Sequence, residues 1–188
     1  SNNISILLST DSGANYNKLI AIGVDATLEQ YAWDTTVAGG GPLADGTTYR
    51  VKVTDGATGI DFSSSDFTVD NTDPSTAIGI VRAIGDTGTG DWYSEHPTIT
   101  LTCADATSGG RKIWYAWDGD TPAEFTPNGF GEVVVAFPFA APGFDGEHTL
   151  HYYADDQAVD DSGNHNVEDS HTATVNIDTV APSISSYT

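Results

Sequence analysis

The chain has 188 residues, which suits one large domain or two modest ones. Its 38% hydrophobic content is enough for thin cores, and its 10% aromatic content is unlike that of a disordered chain. The 6 basic and 27 acidic residues give a net charge of −21, which excludes attraction to nucleic acid and anionic membrane surfaces and favours binding of divalent cations such as Ca²⁺.

The first half of the chain shows the two-residue alternation that is typical of β-strands. Tyr49, Val51 and Val53 face one side of a predicted strand, and basic residues face the other side. Phe67 and Val69 alternate with polar residues in the same way. Clusters of Gly, Asp, Ser and Pro separate these segments and no window has a helical period, so the sequence predicts short strands joined by turns.

The second half continues this alternation. Ile99, Leu101 and Cys103 share one face of a predicted strand, as Leu150 and Tyr152 do in a later one. Because Cys103 is the single cysteine, no internal disulfide can form. Its place on an apolar face predicts a buried small side chain rather than a reactive thiol.

Five short segments recur in the same order along the chain, which indicates an internal repeat. The spacing between the copies grows from 80 residues at the first match to 108 at the last, so the second copy carries insertions. The Asp-Gly segments predict tight turns with a positive φ. The matches are Asp25–Thr27 with Asp105–Thr107, Tyr31–Asp34 with Tyr115–Asp118, Asp45-Gly46 with Asp145-Gly146, Phe67–Asp70 with Val175–Asp178, and Pro74-Ser75 with Pro182-Ser183.

The repeat divides the chain into two predicted domains, residues 1–74 and 75–182. The prolines at the two junctions cannot donate a backbone hydrogen bond, so we expect them to end a sheet ladder and to stiffen the connection. Residues 183–188 have the pattern of a further strand or linker, which predicts that the chain is cut from a longer array. Several short strands with frequent turns favour an all-β sandwich or barrel.

An ordered series of segments runs through residues 91–182, and it resembles the immunoglobulin-like repeats of bacterial and archaeal cell-surface and secreted proteins. Residues 1–74 share only the closing half of the series. The resemblance implies two tandem immunoglobulin-like β-sandwich domains, an extracellular or cell-surface location, and a structural, spacer or adhesive role without catalytic residues. The insert at 124–144 departs from the pattern. The matching segments are Trp92-Tyr93, Pro97–Thr102, Asp105–Gly109, Ile113–Gly119, Asp145–Leu150, Tyr152–Asp156, Asp161–Asn164 and Ile177–Pro182.

Acidic loops are the sharpest chemical feature of the sequence. Closely spaced aspartates in loops can gather the oxygen ligands of Ca²⁺, although no full EF-hand pattern is present. For any single loop the alternative is a set of solvated turn aspartates. At the domain junctions, a bound Ca²⁺ would stiffen the hinge. The candidate ligands are Asp86 and Asp91, Asp118 and Asp120, then Asp155, Asp156, Asp160 and Asp161, and at the junctions Asp70, Asp73 and Asp178.

Other residue types offer fewer candidates. Trp33 and Trp117 each follow a tyrosine by two residues, and we predict that both belong to the core. Trp114 points to the opposite face and is the candidate contact for a glycan or another partner. Asn3 begins an N-glycosylation pattern. The five histidines have no Cys partner and no helix-borne pair, so no zinc site is predicted.

Two classes of function are open. The first is a structural module of a stalk, surface layer or filament that self-associates with further copies or neighbouring repeats through edge strands. The second is an adhesin or a carbohydrate-binding accessory module, with a glycan as its partner. No hydrolase, phosphate-loop or metalloprotease motif occurs, so no enzymatic activity is predicted. No apolar run approaches the ~20 residues of a membrane helix, so no membrane insertion is predicted for this segment.

Overall fold

The fold is all-β, as predicted. The structure, a computed structural model, describes residues 3–37, 42–129, 131–138, 144–160 and 162–184. These ranges contain fourteen strands and one short 3-10 turn. Within them, no helix has the length and apolar character needed to cross a lipid bilayer. The chain divides into two compact units, residues 1–72 (unit 1) and 73–188 (unit 2).

The described part of unit 1 forms one antiparallel sheet. Its strands are β1 (Asn3–Ser9), β2 (Lys18–Asp25), β3 (Gly46–Thr54), β4 (Ile60–Phe62) and β5 (Phe67–Val69). Their order is β2-β1-β3-β4, and β5 pairs with β3. A small core contains Leu8, Leu43, Tyr49 and Val69, with Trp33 packed against it.

Unit 2 contains two sheets. Its strands are β6 (Ser75–Val81), β7 (Trp92–Tyr93), β8 (Thr98–Ala104), β9 (Gly110–Trp117), β10 (Ala123–Phe125), β11 (Glu132–Val134), β12 (Gly146–Val159), β13 (His165–Val167) and β14 (His171–Ile177). The larger sheet has the order β10-β9-β12-β14-β7, with β13 paired to β12. The smaller sheet has the order β11-β8-β6. All pairs are antiparallel except β14 with β7.

The core of unit 2 lies between these two sheets. Ile99 and Leu101 on β8 are fully buried in one cluster with Leu150 on β12. The inward positions follow the predicted alternation, because successive side chains of a strand point to opposite faces. Trp117 is buried as predicted, and its Nε1 donates to the carbonyl of Ala136 at 3.0 Å, so the ring is buried with its polar atom satisfied.

The two units share one sheet plan. The order β10-β9-β12-β14, with β13 at the end of β12, matches β2-β1-β3-β5, with β4 at the end of β3. Asp45 and Asp145 have the same structural role in the two sheets. Each lies just before the central strand and accepts hydrogen bonds from residues after the last strand, Asn71 and Thr72 in unit 1 and Thr179 in unit 2. The predicted matches of Asp45-Gly46 with Asp145-Gly146 and of Phe67–Asp70 with Val175–Asp178 agree with this arrangement.

The opening half of the predicted repeat is wrong. Tyr115–Trp117 belong to β9, whereas Tyr31–Asp34 lies outside any strand, and β1 takes the position of β9 in unit 1. Asp25 and Asp105 each accept a hydrogen bond from the backbone N of the threonine two residues later, but Asp25 ends β2 and Asp105 follows β8, and these strands are not equivalent in the shared sheet plan. A Tyr-x-Trp spacing fits any extended segment, so it does not identify a particular strand.

One of the two Asp-Gly segments has the predicted positive φ, although its glycine is the first residue of β12 and not part of a tight turn. Gly146 has a φ of 134°, but Gly46 lies outside the positive-φ region. The Asp-Gly pair with both residues in the left-handed region is Asp118-Gly119, with φ values of 52° and 89°. This pair follows β9 and leads towards its antiparallel neighbour β10, where a tight hairpin favours such residues.

Unit 1 also differs from the predicted sandwich. Among its described residues there is no second sheet facing β1 and β3 in the way that β8 faces β9 and β12. The segment predicted to supply a strand around Tyr31 continues from the 3-10 turn as irregular chain, and its Trp33 packs on the sheet instead. Unit 2 is therefore the part with the two-layer architecture.

Truncating the centre of the unit 2 core is expected to be strongly destabilising. Leu101→Ala removes a fully buried side chain and should lower the free energy of unfolding by about 2–5 kcal/mol, because the cavity closes only in part. Urea unfolding followed by tryptophan fluorescence measures this change. Val134→Ala on the neighbouring strand is the control, since Val134 is 65% exposed and should cost less than ~1 kcal/mol. Similar losses in both variants would contradict the assigned core.

Candidate functional site

Four carboxylates come together at one end of unit 2, and we call them the acidic cluster: Asp105, Asp155, Asp156 and Glu168. Three of them are buried, with Asp155 4% exposed, Asp156 0% and Glu168 8%. In the pairing of β12 with β9, Arg111 is left unpaired between the pairs Asp155–Lys112 and Asp156–Gly110, which is a bulge in β9. In the pairing with β13, β12 has two extra residues between Asp155 and Val159, which is a bulge in β12. A bulge interrupts the alternation, so two successive side chains can both be buried.

The turn between β8 and β9 presents Asp105 to the end of β12. Gln157 N donates to the carbonyl of Gly109 at 3.0 Å, and Ala158 N donates to Ser108 Oγ at 3.2 Å. These contacts hold the turn and the strand side by side. One carboxylate oxygen of Asp105 and one of Asp156 consequently lie within 4.8 Å of each other.

Asp105 is fixed as an anion by its own turn. Its Oδ1 accepts hydrogen bonds from the backbone N–H groups of Thr107, Ser108 and Gly109 at 3.0, 2.8 and 2.7 Å. Burial alone would raise the pKa of this carboxyl, but the three N–H donors outweigh it and hold the pKa below its usual value. Asp105 therefore stays ionised at neutral pH.

Asp156 is fully buried and hydrogen-bonded on both oxygens. Its Oδ1 accepts from Ala158 N and its Oδ2 accepts from Asn166 Nδ2, both at 2.9 Å. Two oxygens that bind one Ca²⁺ at about 2.3–2.6 Å each are separated by at most about 5 Å. The spacing of Asp105 and Asp156 therefore fits two ligands of a single cation.

Each of the other two carboxylates has at least one partner. Asp155 forms an ion pair with Arg111 through Oδ2. Glu168 accepts from the backbone N and hydroxyl of Thr76, and His171 Nε2 lies 3.0 Å from its Oε2. Glu168 is therefore satisfied, whereas Oδ1 of Asp155 is buried without a hydrogen-bond partner among the described residues and remains a candidate ligand.

Cys103 lies next to the acidic cluster and is inert at neutral pH. Burial raises the pKa of its thiol to about 11, and the charges of Glu168, Asp105, Asp155 and Asp156 add to the effect. Gly110 makes room for this side chain, because a Cβ there would collide with Cys103 Sγ. The cysteine is buried, as the alternation predicts.

Asp86, a predicted cation ligand, organises a loop. Its side chain is fully buried, and its Oδ1 accepts from Gly88 N, Ser94 N and Ser94 Oγ at 2.7–2.9 Å. Its Oδ2 pairs with Arg82 at 2.7 Å. The Ser94 hydroxyl and these backbone donors hold the pKa of Asp86 far below its usual value. Its predicted partner Asp91 is exposed on the same loop.

The other predicted ligand loops serve as turns. Asp118 bonds His148 Nδ1 at 2.6 Å and accepts from Thr149 N at 2.8 Å, while Asp120 is exposed. Asp160 closes the turn between β12 and β13 by accepting from the backbone N of residues 162 and 164 at 2.8 Å each. Asp161 lies outside the described residues.

The predicted junction acids fall at the ends of the units. Asp70 is half-buried near the end of unit 1 and accepts from Thr72 N at 3.3 Å. Asp73 and Asp178 are exposed in unit 2, where Asp178 accepts from Val180 N at 3.1 Å. Binding of Ca²⁺ at these junctions stays a prediction.

Trp114 lies on the outer face of the larger sheet of unit 2. It stacks on Tyr153 of β12, with ring centroids 6.0 Å apart and an angle of 5° between the ring planes. Both rings are half-buried, so each keeps part of its surface accessible to solvent. Asn3 is exposed at the start of β1, as a glycosylation acceptor must be.

Comparisons with known proteins add no assignment: no family model matches the chain, and no curated protein sequence matches it significantly. The site therefore has to be interpreted from its own residues. Sequence reasoning named Asp155 and Asp156 but missed Asp105 and Glu168. The Asp-x-Thr-Ser-Gly segment at 105–109 is typical of an Asp-capped turn and could have identified Asp105. No local pattern marks Glu168.

The turn at Asp105 should make unit 2 sensitive to acid. Because the folded-state pKa of Asp105 is lowered, its stabilising effect is present above the usual pKa of 3.8 and is lost as the pH falls through the lower folded-state value. Asp105→Asn should lower the free energy of unfolding by roughly 1–2 kcal/mol at pH 7, since charge-assisted hydrogen bonds are lost. It should also flatten the decline in stability below pH 4.

Urea unfolding between pH 7 and pH 2.5 measures both effects. Asp120→Asn is the matched control, because Asp120 is exposed. An acid profile of Asp105→Asn that parallels the unmodified protein would show that the turn does not contribute to the pH dependence.

Proposed function

We propose that the chain is a non-catalytic structural module of an extracellular cell-surface protein, such as a stalk, surface layer or filament, and that a divalent cation stabilises it. In this proposal unit 2 is an immunoglobulin-like sandwich, and unit 1 is built on the plan of its larger sheet. The all-β fold, the net charge of −21 and the repeated sheet plan support this role. Further copies or neighbouring repeats are the partners that such a role requires.

The acidic cluster is the reason for proposing that a cation binds to unit 2. Asp105 and Asp156 place carboxylate oxygens within 4.8 Å of each other at a site where Asp156 is fully buried. Burying charge is costly unless it is paired or coordinates a metal. Ca²⁺ accepts six to eight oxygen ligands in flexible geometry, whereas Mg²⁺ demands a regular octahedron and releases its water reluctantly. Carboxylates held by a turn and a strand end therefore favour Ca²⁺.

Calcium should raise the melting temperature of unit 2. At free Ca²⁺ about 100 times the dissociation constant, binding adds about 2.7 kcal/mol, which for a unit of this size corresponds to a rise of roughly 10 °C. Mg²⁺ at the same ionic strength should give a smaller shift, and a chelator should reverse the Ca²⁺ effect. Calorimetry measures the melting temperature, and isothermal titration measures the affinity.

Two variants locate the site. Asp156→Asn keeps the shape of the side chain and should abolish the Ca²⁺ shift. Asp120→Asn removes an exposed acid and should retain it. Equal responses to Ca²⁺ and Mg²⁺ in all three proteins would mean that the ions only screen the net charge, and the proposed site would have to be abandoned.

Carbohydrate binding is the second candidate function, and the Trp114–Tyr153 pair favours it. Parallel, partly exposed rings on a sheet face offer a flat apolar surface with polar edges. Trp114→Ala should weaken glycan binding by about tenfold or more, as for an aromatic residue at the centre of an interface. A glycan array followed by titration tests this, with Trp92→Ala as control because Trp92 is also exposed. Absence of binding at high protein concentration would exclude this function.

A further inference from the structure

The sheet of unit 1 has an apolar face that is less covered than its counterpart in unit 2. By sheet position, Ile4 corresponds to Ile113 and Val51 to Leu150. The two residues of unit 2 are fully buried, whereas Ile4 and Val51 are half-buried. In unit 2 the cover is the smaller sheet, and among the described residues of unit 1 no such sheet exists.

A groove follows this face. Its volume is about 360 Å³, and Ile4, Val24, Val51 and Val53 form its apolar wall, together with the ring of Trp33. Two acidic residues, Asp25 and Glu29, also line it. Because both acids flank the 3-10 turn Ala26–Leu28, the groove is an apolar trough with negative charge at one end.

The indole nitrogen of Trp33 is a hydrogen-bond donor without an acceptor in the described part of the chain. Its Nε1 is buried, and no hydrogen-bond acceptor is in reach among the residues that the structure describes. A buried donor without an acceptor is unfavourable, and a ligand that brings an acceptor removes this penalty. The carbonyl of an extended main chain is an acceptor of this kind.

We propose that this groove binds an extended β-strand of another polypeptide, with aliphatic side chains at alternate positions and a basic residue at one end. In unit 2, β8 covers the equivalent face in this way, with Ile99 and Leu101 fully buried. The aliphatic side chains of the strand fill the trough, one of its carbonyls accepts from Trp33 Nε1, and its basic end lies near Asp25 and Glu29. A second copy of this chain is disfavoured as the occupant of this groove, because Asp25 and Glu29 line it and the chain has only 6 basic residues against 27 acidic ones.

Synthetic peptides test the proposal on the complete chain. The probe is Lys-Thr-Ile-Thr-Leu-Thr-Lys, which carries the pattern of β8 between two lysines. The control Lys-Ile-Leu-Thr-Thr-Thr-Lys has the same composition but places the two aliphatic residues on opposite faces. A third peptide replaces the lysines of the probe with glutamates. Fluorescence anisotropy of labelled peptides should show saturable binding of the probe and at least tenfold weaker binding of the other two.

Variants of the groove separate binding from folding. Trp33→Phe removes the buried donor, so it should weaken probe binding by roughly three- to tenfold and leave the melting temperature unchanged or higher. Val53→Thr keeps the shape of the side chain, makes the groove more polar, and should also weaken binding. Val134→Thr, at an exposed position of unit 2, is the matched control and should bind as the unmodified chain does. Circular dichroism checks that each variant is folded.

Three results would overturn the proposal: no saturable binding of the probe, equal binding of the alternating and the rearranged peptide, or unchanged binding in both folded groove variants. Dimers that form in sedimentation experiments without peptide, and that Val53→Thr abolishes, would assign the groove to a second copy instead. Because the groove belongs to unit 1 alone, these outcomes are independent of the cation site of unit 2.

Discussion

The burial of β8 against β9 and β12 is the interaction on which unit 2 depends. Ile99 and Leu101 are fully buried at this contact, and neither sheet could cover its apolar face without the other. The same packing fixes where β8 ends, and the turn that begins at Asp105 must therefore lie beside the end of β12. The position of the acidic cluster is a consequence of sheet packing rather than of any local acidic sequence.

The chemistry of the cluster follows from how each carboxylate is held. The backbone donors of its turn keep Asp105 ionised, and Arg111 pairs with Asp155. Removing one partner of a buried ion pair leaves an uncompensated charge, which is far more costly than the pair itself is favourable. The cluster is therefore sensitive to single substitutions, and it also excludes a reactive role for Cys103, whose thiol pKa is raised to about 11.

The alternation of apolar and polar residues predicted the strands of unit 2 well. In these strands every second side chain points into the core between the two sheets, so apolar residues are needed at every second position. The sequence did not reveal the cluster as a whole. Asp156 was named for its neighbouring acids, but its partner Asp105 lies 51 positions away in sequence. The bulges in the pairing of β12 with β9 and β13 around Asp155 leave no local signal in the sequence. Glu168 shows the same limit, since only tertiary packing brings it to Thr76.

The repeat illustrates how short motifs mislead. Asp45 and Asp145 were matched correctly, because an acid before the central strand has a physical task in both units, which is to hold the chain that follows the last strand. Tyr31 and Trp33 were matched on spacing alone, and no shared contact stands behind that match. A motif carries structural information when its side chains make the same contacts in both copies.

The apolar sheet face of unit 1 is less buried than that of unit 2, because a different kind of segment covers it. Its sheet has the same strand order as the larger sheet of unit 2. Among the described residues, however, the face that aliphatic strands cover in unit 2 meets Leu43 and an irregular segment with Trp33. Valines and isoleucines with exposed surface are a normal feature of a sheet rim but not of its centre. Val51 and Val53 lie on the central strand, so their partial exposure indicates a surface that is shaped for contact with another β-segment.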